Sequence, residues 1–252
     1  MMSTTRRLAS VAVVLLIWEL AVRFELAPSF TLAAPSTIVS EIARLIANGQ
    51  LPKHVQASMG RMLSGYSLAL VTGALLGALM GWFRLLDDVV DPIVELIRPV
   101  SPLAILPLAI LWLGIGQASK IFVIWYGCLF PILLNTYAGV RGVPKSTVEA
   151  ARTLGAATDE MLQRVVFYHS LPLIMTGARI SFAVGMIVII AAEMVAADAG
   201  LGYMILTAQQ TFHTPELYAG ITTIAVIGFL GDRIIRLIRA KLCPWYVEIE
   251  QS

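Results

Sequence analysis

The side chains in this sequence that could do chemistry are few and widely spaced. His54, His169 and His213 fall in three separate polar intervals with no acidic residue at ligand spacing, so no metal centre is expected. Ser67 and Ser181 have no histidine placed to act as base, and Cys128 and Cys243 have no paired spacing. Neither serine chemistry nor a disulfide framework is therefore expected. The phosphate-cradling pattern GxxxxGK[ST] does not occur, so the chain cannot supply an ATP site of that kind itself. Two features remain: one acidic residue in a long apolar run, Glu193, and one extended polar interval, PKSTVEAARTLGAATDEMLQRVVFYHSLP, from Pro144 to Pro172.

That interval reads as a helix, a hinge and a second helix. Ser146 stands three residues before Glu149, the spacing of a capping box, which predicts a short helix from Thr147 to Leu154. Gly155 follows, where a left-handed closing residue costs a glycine little. Thr158 is placed to cap the second helix, with Asp159 and Glu160 suited to its positive end and Met161, Leu162, Val165 and Val166 on one face.

The same residues carry a resemblance. Glu149, Ala150 and Ala151, then Gly155, then Val165, resemble the EAA loop of the membrane subunits of binding-protein-dependent ABC importers. Leu106 to Ile121, LPLAILWLGIGQASKI, and Ala191 to Gly202, AAEMVAADAGLG, resemble the nitrate, sulfonate and taurine branch of these permeases, and the likeness covers roughly residues 8 to 246. It implies an all-α membrane protein with six transmembrane helices, the type I importer permease fold, and a cytoplasmic coupling loop at 144–172 in which Glu149, Ala150, Ala151, Arg152, Leu154 and Gly155 meet an ATPase subunit. Phe167 and Tyr168 depart from the family pattern, which has Leu and Pro there, so the second helix is expected to continue to Pro172.

The resemblance further implies a homodimer of this chain, two ABC ATPase subunits, and a soluble or lipid-anchored solute-binding protein. No cofactor belongs to this chain; ATP and magnesium would sit on the partner ATPase. The implied cargo is a small anion such as a sulfonate, taurine or nitrate, and similar permeases are associated with vitamin precursors or riboflavin. The implied place is a bacterial cytoplasmic membrane.

Composition supports a membrane protein independently. The chain has 252 residues, 58% hydrophobic and 13% charged, with mean hydropathy +0.81, against about 25% charged in soluble domains. Its basic residues lie at the ends of apolar runs, so nucleic acid is not an expected partner.

As a single permease domain over 1–252, the chain is expected to cross the membrane at about 8–24, 66–83, 100–115, 121–140, 173–197 and 217–238. The first run continues past Trp18 without a small-x-small cleavage site and reads as a retained span, with Glu19 and Arg23 paired four residues apart. Ser36 to Ala47 reads as an interfacial helix. Gly65, Ala69, Gly73, Gly77 and Gly81 recur every four residues, lining one helix face so that a neighbouring backbone can approach.

Between Asp91 and Gly116, Pro92, Pro99, Pro102 and Pro107 each remove a backbone donor. Such a segment is either a broken helix beside a pathway or a kinked packing helix, and its freed carbonyls need other protein groups or a wet cavity. On the first reading, Pro102, Pro107, Asn135 and Glu193 are candidate pathway residues. On the second, Asn135 bonds to a neighbouring helix, and Arg179 and Glu193 snorkel from within one turn of the two interfaces.

Placing both termini and the 144–172 loop inside puts 13 of the 18 basic residues in the cytoplasm, and Arg61 and Lys120 among those outside. Two rivals to the importer reading follow from the residues. An ion-coupled secondary transporter would need a buried acidic relay, for which Glu193 is the chief candidate. An intramembrane enzyme would need a serine–histidine pair that the spacing does not offer.

Overall fold

Prolines and glycines punctuate this apolar chain into helices. The computed structural model describes residues 2–24 and 31–245, and among them every regular element is helical. In chain order these are α1 (Met2–Arg23), α2 (Pro35–Ala47), α3 (Gln50–Trp82), α4 (Arg84–Ile97), α5 (Pro102–Leu113), α6 (Gln117–Arg141) and α7 (Lys145–Thr153). There follow a single turn α8 (Thr158–Glu160), a π-helical stretch Met161–Val166, α9 (Phe167–Ala196), α10 (Leu201–Gln210) and α11 (Thr214–Leu242). The π-stretch and α9 run on as one 36-residue helix.

Among the described residues, three helices are by length and composition apolar enough to cross a membrane: Gln50–Trp82, Gln117–Arg141 and Met161–Ala196. A fourth span results if α4 and α5, bent by 98°, are taken together. The described residues of Met1–Met59 and Glu193–Val226 form one compact unit, and those of Gly60–Ala192 and Ile227–Ser252 a second.

In the second unit, α6 is the central element, with thirteen buried residues. The small-residue stripe of α3 lies along it. A Cβ built on Gly65 would stand 2.8 Å from Ile121 O and Ile124 Cβ, and one on Gly73 would stand 3.0 Å from Leu129 O. One on Gly77 would meet the Leu133 carbonyl and Thr136, and one on Gly81 would meet Val140. The stripe therefore does what small residues do between membrane helices, bringing backbone against backbone.

Gly77→Leu is accordingly expected to lower the thermal unfolding midpoint of the detergent-purified protein by the equivalent of about 3 kcal/mol, the upper range for overpacking. Gly60→Leu, on the same helix with nothing within 4 Å of its built Cβ, is the control and is expected to leave it unchanged. Equal midpoints in the two variants would refute the close approach.

α6 also carries α9. Ser181 Oγ donates to Cys128 O at 2.6 Å while Cys128 Sγ donates to Ser181 O at 3.2 Å, so the two residues lock the helices reciprocally. Tyr66 of α3 also reaches α9, its hydroxyl donating to Ala178 O at 2.9 Å.

The proline-rich segment breaks at 98–101, with Pro102 as the first residue of α5. The Tyr126 hydroxyl from α6 donates to Ile97 O at 2.8 Å and lies 3.3 Å from Val100 O. A protein group thus satisfies carbonyls that the break sets free. Asp87 is buried and ion-paired with Arg141, whose guanidinium lies 5.6 Å from the Tyr137 ring centroid.

In the first unit, Glu19 pairs with Arg23 at 2.8 Å as the spacing predicted. It also accepts from Ser36 N at 3.1 Å and Ser36 Oγ at 2.8 Å, so a carboxylate from α1 caps α2, whose own N-cap residue is Ala34. α2 buries Ile38 and Leu45. On its polar side, the hydrogen bond from Arg44 holds the Glu41 carboxyl below its ordinary value. Cys128 and Cys243 are both buried free thiols, and burial pushes the Cys243 thiol up, so it stays neutral and unreactive.

Candidate functional site

Sequence and structure agree on an elbow at 144–172, but its caps differ from those expected. α7 begins at Lys145, with Pro144 as N-cap residue and no side-chain cap among the described residues. The Pro144 carbonyl accepts from Thr147 N at 3.0 Å and Val148 N at 3.3 Å, which starts the helix early and leaves Ser146 inside its first turn. The Ser146–Glu149 capping box is therefore not formed, and Glu149 points to solvent, free to contact something else. The second helix likewise has Ala157 rather than Thr158 as its N-cap residue, and Glu160 Oε2 accepts from Ala157 N at 3.4 Å.

The far end of α7 closes as the glycine foretold. Gly155 has φ +81°, its N–H donates to Arg152 O at 2.9 Å, and Ala156 N–H donates to Ala151 O at 3.1 Å. This is the paired bonding of a Schellman motif, which satisfies the carbonyls of Ala151 and Arg152. The tip residue Leu154 is 88% exposed. Glu149, Ala150 and Arg152 are exposed as well, while Val148 and Ala151, three apart, form the half-buried face.

After the hinge, the chain is wound as a π-helix in which Met161 and Val166, five residues apart, are both buried. The helix then passes straight through Pro172 to Ala196. The expected stop at Pro172 is overturned because the proline sits in a helix already wound and held against α6, where Gly139 packs on Ser170. Nothing in the periodicity announced Trp245. It lies beyond α11, with its ring centroid 5.5 Å from that of Tyr168, and joins Thr147, Arg164, Val165, Tyr168 and His169 around an open hollow of about 390 Å³.

The other singled-out residues sit in different surroundings. Pro102 is half-buried, its ring against Gly127 of α6, whereas Pro107 is exposed. Asn135 does not reach across helices; its Nδ2 donates to Pro131 O of its own helix at 2.7 Å. Arg179 pairs with Asp232 at 2.5 Å. Arg61 and Lys120, placed at the outer water by charge counting, are each only 3% exposed; Arg61 Nε meets Gln117 Oε1 at 2.5 Å and Lys120 Nζ donates to Gly116 O at 3.0 Å.

Glu193 does not snorkel. It is wholly buried and accepts from Ser58 Oγ at 2.8 and 2.9 Å and from Gly202 N at 3.0 Å. Ser58 Oγ in turn accepts from Leu201 N at 2.8 Å, and His54 Nδ1 accepts from Gly200 N at 3.0 Å. Gly200, at φ +135°, is the N-cap residue of α10 and packs directly on the Glu193 carboxyl. The N-terminus of α10 is thus capped by side chains from α3 and α9, which meet its positive end with a carboxylate. Sequence reasoning missed this because Ser58 and Glu193 are 135 positions apart.

Comparison with known proteins bears on both clusters. Residues 69–242 match the family model described as "Binding-protein-dependent transport system inner membrane component". The taurine transport system permease protein TauC of Escherichia coli (strain K12) is 34% identical over 251 residues, covering 98% of this chain and 91% of that protein. The putative aliphatic sulfonates transport permease protein SsuC of Bacillus subtilis (strain 168) is 35% identical over 234 residues, covering 93% and 85%. Among solved structures, a chain of the inward-facing MetNI methionine ABC transporter superposes with a TM-score of 0.59 at 21% identity, over 73% of this chain and 94% of that one. At that identity the likeness shows the fold, which is that of a type I importer permease.

Proposed function

We propose that this chain, which belongs to the family of binding-protein-dependent transport system inner membrane components, pairs with a second copy to line a path for a small anion, and that two ATPase subunits grip its two elbows. Membership makes it the permease subunit of an ABC importer and not an enzyme; ATP hydrolysis lies with a separate subunit.

The observation that carries the docking reading is the elbow itself. A nine-residue helix, closed at its tip by a Schellman motif, buries none of its residues and leaves Leu154 exposed. An apolar knob on a helix that does not fray at its tip fits a groove on a partner. Beyond the hinge, Met161–Ala196 is continuous, so a push on the elbow is carried along the span without an intervening loop. ATP-driven closure of the ATPase pair would then swing the elbows as levers and change which side the path faces. ATP and magnesium belong to those subunits. A soluble or lipid-anchored solute-binding protein delivers cargo on the opposite side.

The positive-inside bias supports both termini and the elbow in the cytoplasm, and α1, α3, the bent pair α4 and α5, α6, α9 and α11 as six spans. A sulfonate or taurine is the favoured cargo, because the relatives named for those compounds match nearly the whole chain. Within that path Pro102, Pro107 and Asn135 remain candidate lining residues, whereas Glu193 acts as a cap.

The test is to purify the tagged chain gently from its own membrane and weigh the intact complex. Two copies with two ATPase subunits are expected. A homo-oligomer that carries no ATPase under every detergent tried would sink the reading and return attention to ion-coupled transport.

A further inference from the structure

We propose that Arg179 and Arg236, held on Asp232, form a binding site for an oxyanion group, either the phosphate of an anionic lipid or a free sulfate-like ion. Arg179 Nε of α9 meets Asp232 Oδ1 at 2.5 Å, and Arg236 Nη2, one turn further along α11, meets Asp232 Oδ2 at 2.7 Å. Two guanidiniums thus share one carboxylate, leaving one positive charge in excess. A guanidinium offers five N–H donors, so two of them bring about ten donors to a carboxylate with about four acceptor sites.

The shortage shows at Arg236 itself, whose Nε is buried without a hydrogen-bond partner. A buried donor in that condition costs free energy that an added acceptor would recover. An oxyanion drawing Arg236 round would satisfy it, and the planar forks of two arginines suit a tetrahedral oxyanion better than lysines would.

Position and rigidity favour a built site over a chance surface pair. Gly231, beside Asp232, lies against the ring of Phe182, one turn from Arg179, so α9 and α11 approach closely at this level. The three side chains are between 30% and 39% exposed, half-sheltered but reachable. Counting ~1.5 Å per residue, Arg179 lies about 18 Å from the elbow end of α9 and Arg236 about 9 Å from the end of α11. With the elbow on the inner side, the cluster lies on the cytoplasmic half of α9 and of α11, the side on which anionic headgroups attract basic residues. Only this placement rests on the orientation proposed above; the charge excess and the orphaned donor do not.

The permease–ATPase complex is reconstituted into nanodiscs of phosphatidylcholine with and without phosphatidylglycerol, and retained lipid is read by native mass spectrometry. In parallel, sodium sulfate is titrated at constant ionic strength and the unfolding midpoint followed. For a lipid phosphate, the unaltered complex retains phosphatidylglycerol, Arg236→Gln and Arg179→Gln each reduce retention about tenfold, and Asp232→Asn raises it by freeing both guanidiniums. For a free oxyanion, retention is the same in all variants, while sulfate raises the midpoint of the unaltered complex and not that of Arg236→Gln. Should Arg179→Gln fail to assemble, Arg236→Gln and Asp232→Asn carry the test, since a merely structural pair would lose stability in both and could not move retention in opposite directions. No difference among the variants in either lipid retention or sulfate response overturns the proposal. An intact complex of altered mass would speak against the assembly proposed above and leave this result standing.

Discussion

Leu154→Asp is expected to weaken docking of the ATPase about 30-fold and to cut transport in proportion, while leaving the permease folded. The side chain is 88% exposed, so its loss removes almost no internal packing, and surface changes of that kind usually stay within about 0.5 kcal/mol. An apolar anchor seated in a partner's groove is a different matter. Truncating such a residue commonly costs about 2 kcal/mol or more, and about 1.4 kcal/mol is a factor of ten in affinity. The measurement is a binding isotherm of the partner ATPase on the purified permease, with transport into vesicles alongside. Unchanged affinity with the elbow intact would remove Leu154 from the contact and leave the lever without its point of attachment. Glu149, which caps nothing in α7, is the natural second substitution, since any loss it causes must come from the partner.

Glu193→Ala is expected to destabilise the C-terminal end of α9 by roughly 3 kcal/mol. The Ser58 hydroxyl and the Gly202 N–H would each lose an acceptor inside the protein. Buried polar groups left so cost about 1–3 kcal/mol each, and in a membrane the lower part of that range applies because unfolded helices find other partners. α10 has only ten residues, too few to hold its form without the cap. Thermal unfolding of the purified complex should fall, and amide exchange at Leu201 and Gly202 should quicken before the rest of the chain. Glu193→Gln keeps one acceptor oxygen and should fall about half as far while retaining transport. A glutamine variant that folds as well as the parent but transports nothing would mean that the carboxylate carries protons, as the ion-coupled reading required.

What could be read ahead of the structure was whatever repeats or breaks locally. The four-residue beat of Gly65 to Gly81 foretold a close neighbour, though not that it would be α6. The prolines left open a broken or a kinked helix, and gave no sign that Tyr126 would supply the hydrogen bond at the break. Gly155 was legible because a left-handed turn leaves so few alternatives. The failures share a cause: a distant part of the chain supplied the partner. Glu193 looked like a charge reaching for water because Ser58 is far away in sequence, and Arg61 looked exposed for a similar reason, its partner Gln117 lying 56 positions on. The Ser146 cap failed more locally, since the Pro144 carbonyl had already begun the helix two residues sooner. Trp245 gave no signal at all, lying outside any periodic run.

The π-wound hexapeptide Met161–Val166 has a consequence for the elbow's aim. A π-turn is in effect an α-helix that has absorbed one residue more than it needs. Each residue of an α-helix turns the chain by about 100°. Deleting the absorbed residue would let the stretch rewind as ordinary α-helix with Leu154 near its present bearing, whereas a residue added or lost in the α-wound part between hinge and span would turn everything before it by roughly that angle about the axis of α9, Leu154 included. The bearing of the knob is a matter of phase, set by the number of residues between hinge and span more than by their identity. Substitutions that preserve the winding leave the bearing intact, whereas a change of length that the π-stretch does not absorb points the knob away from whatever it is built to meet.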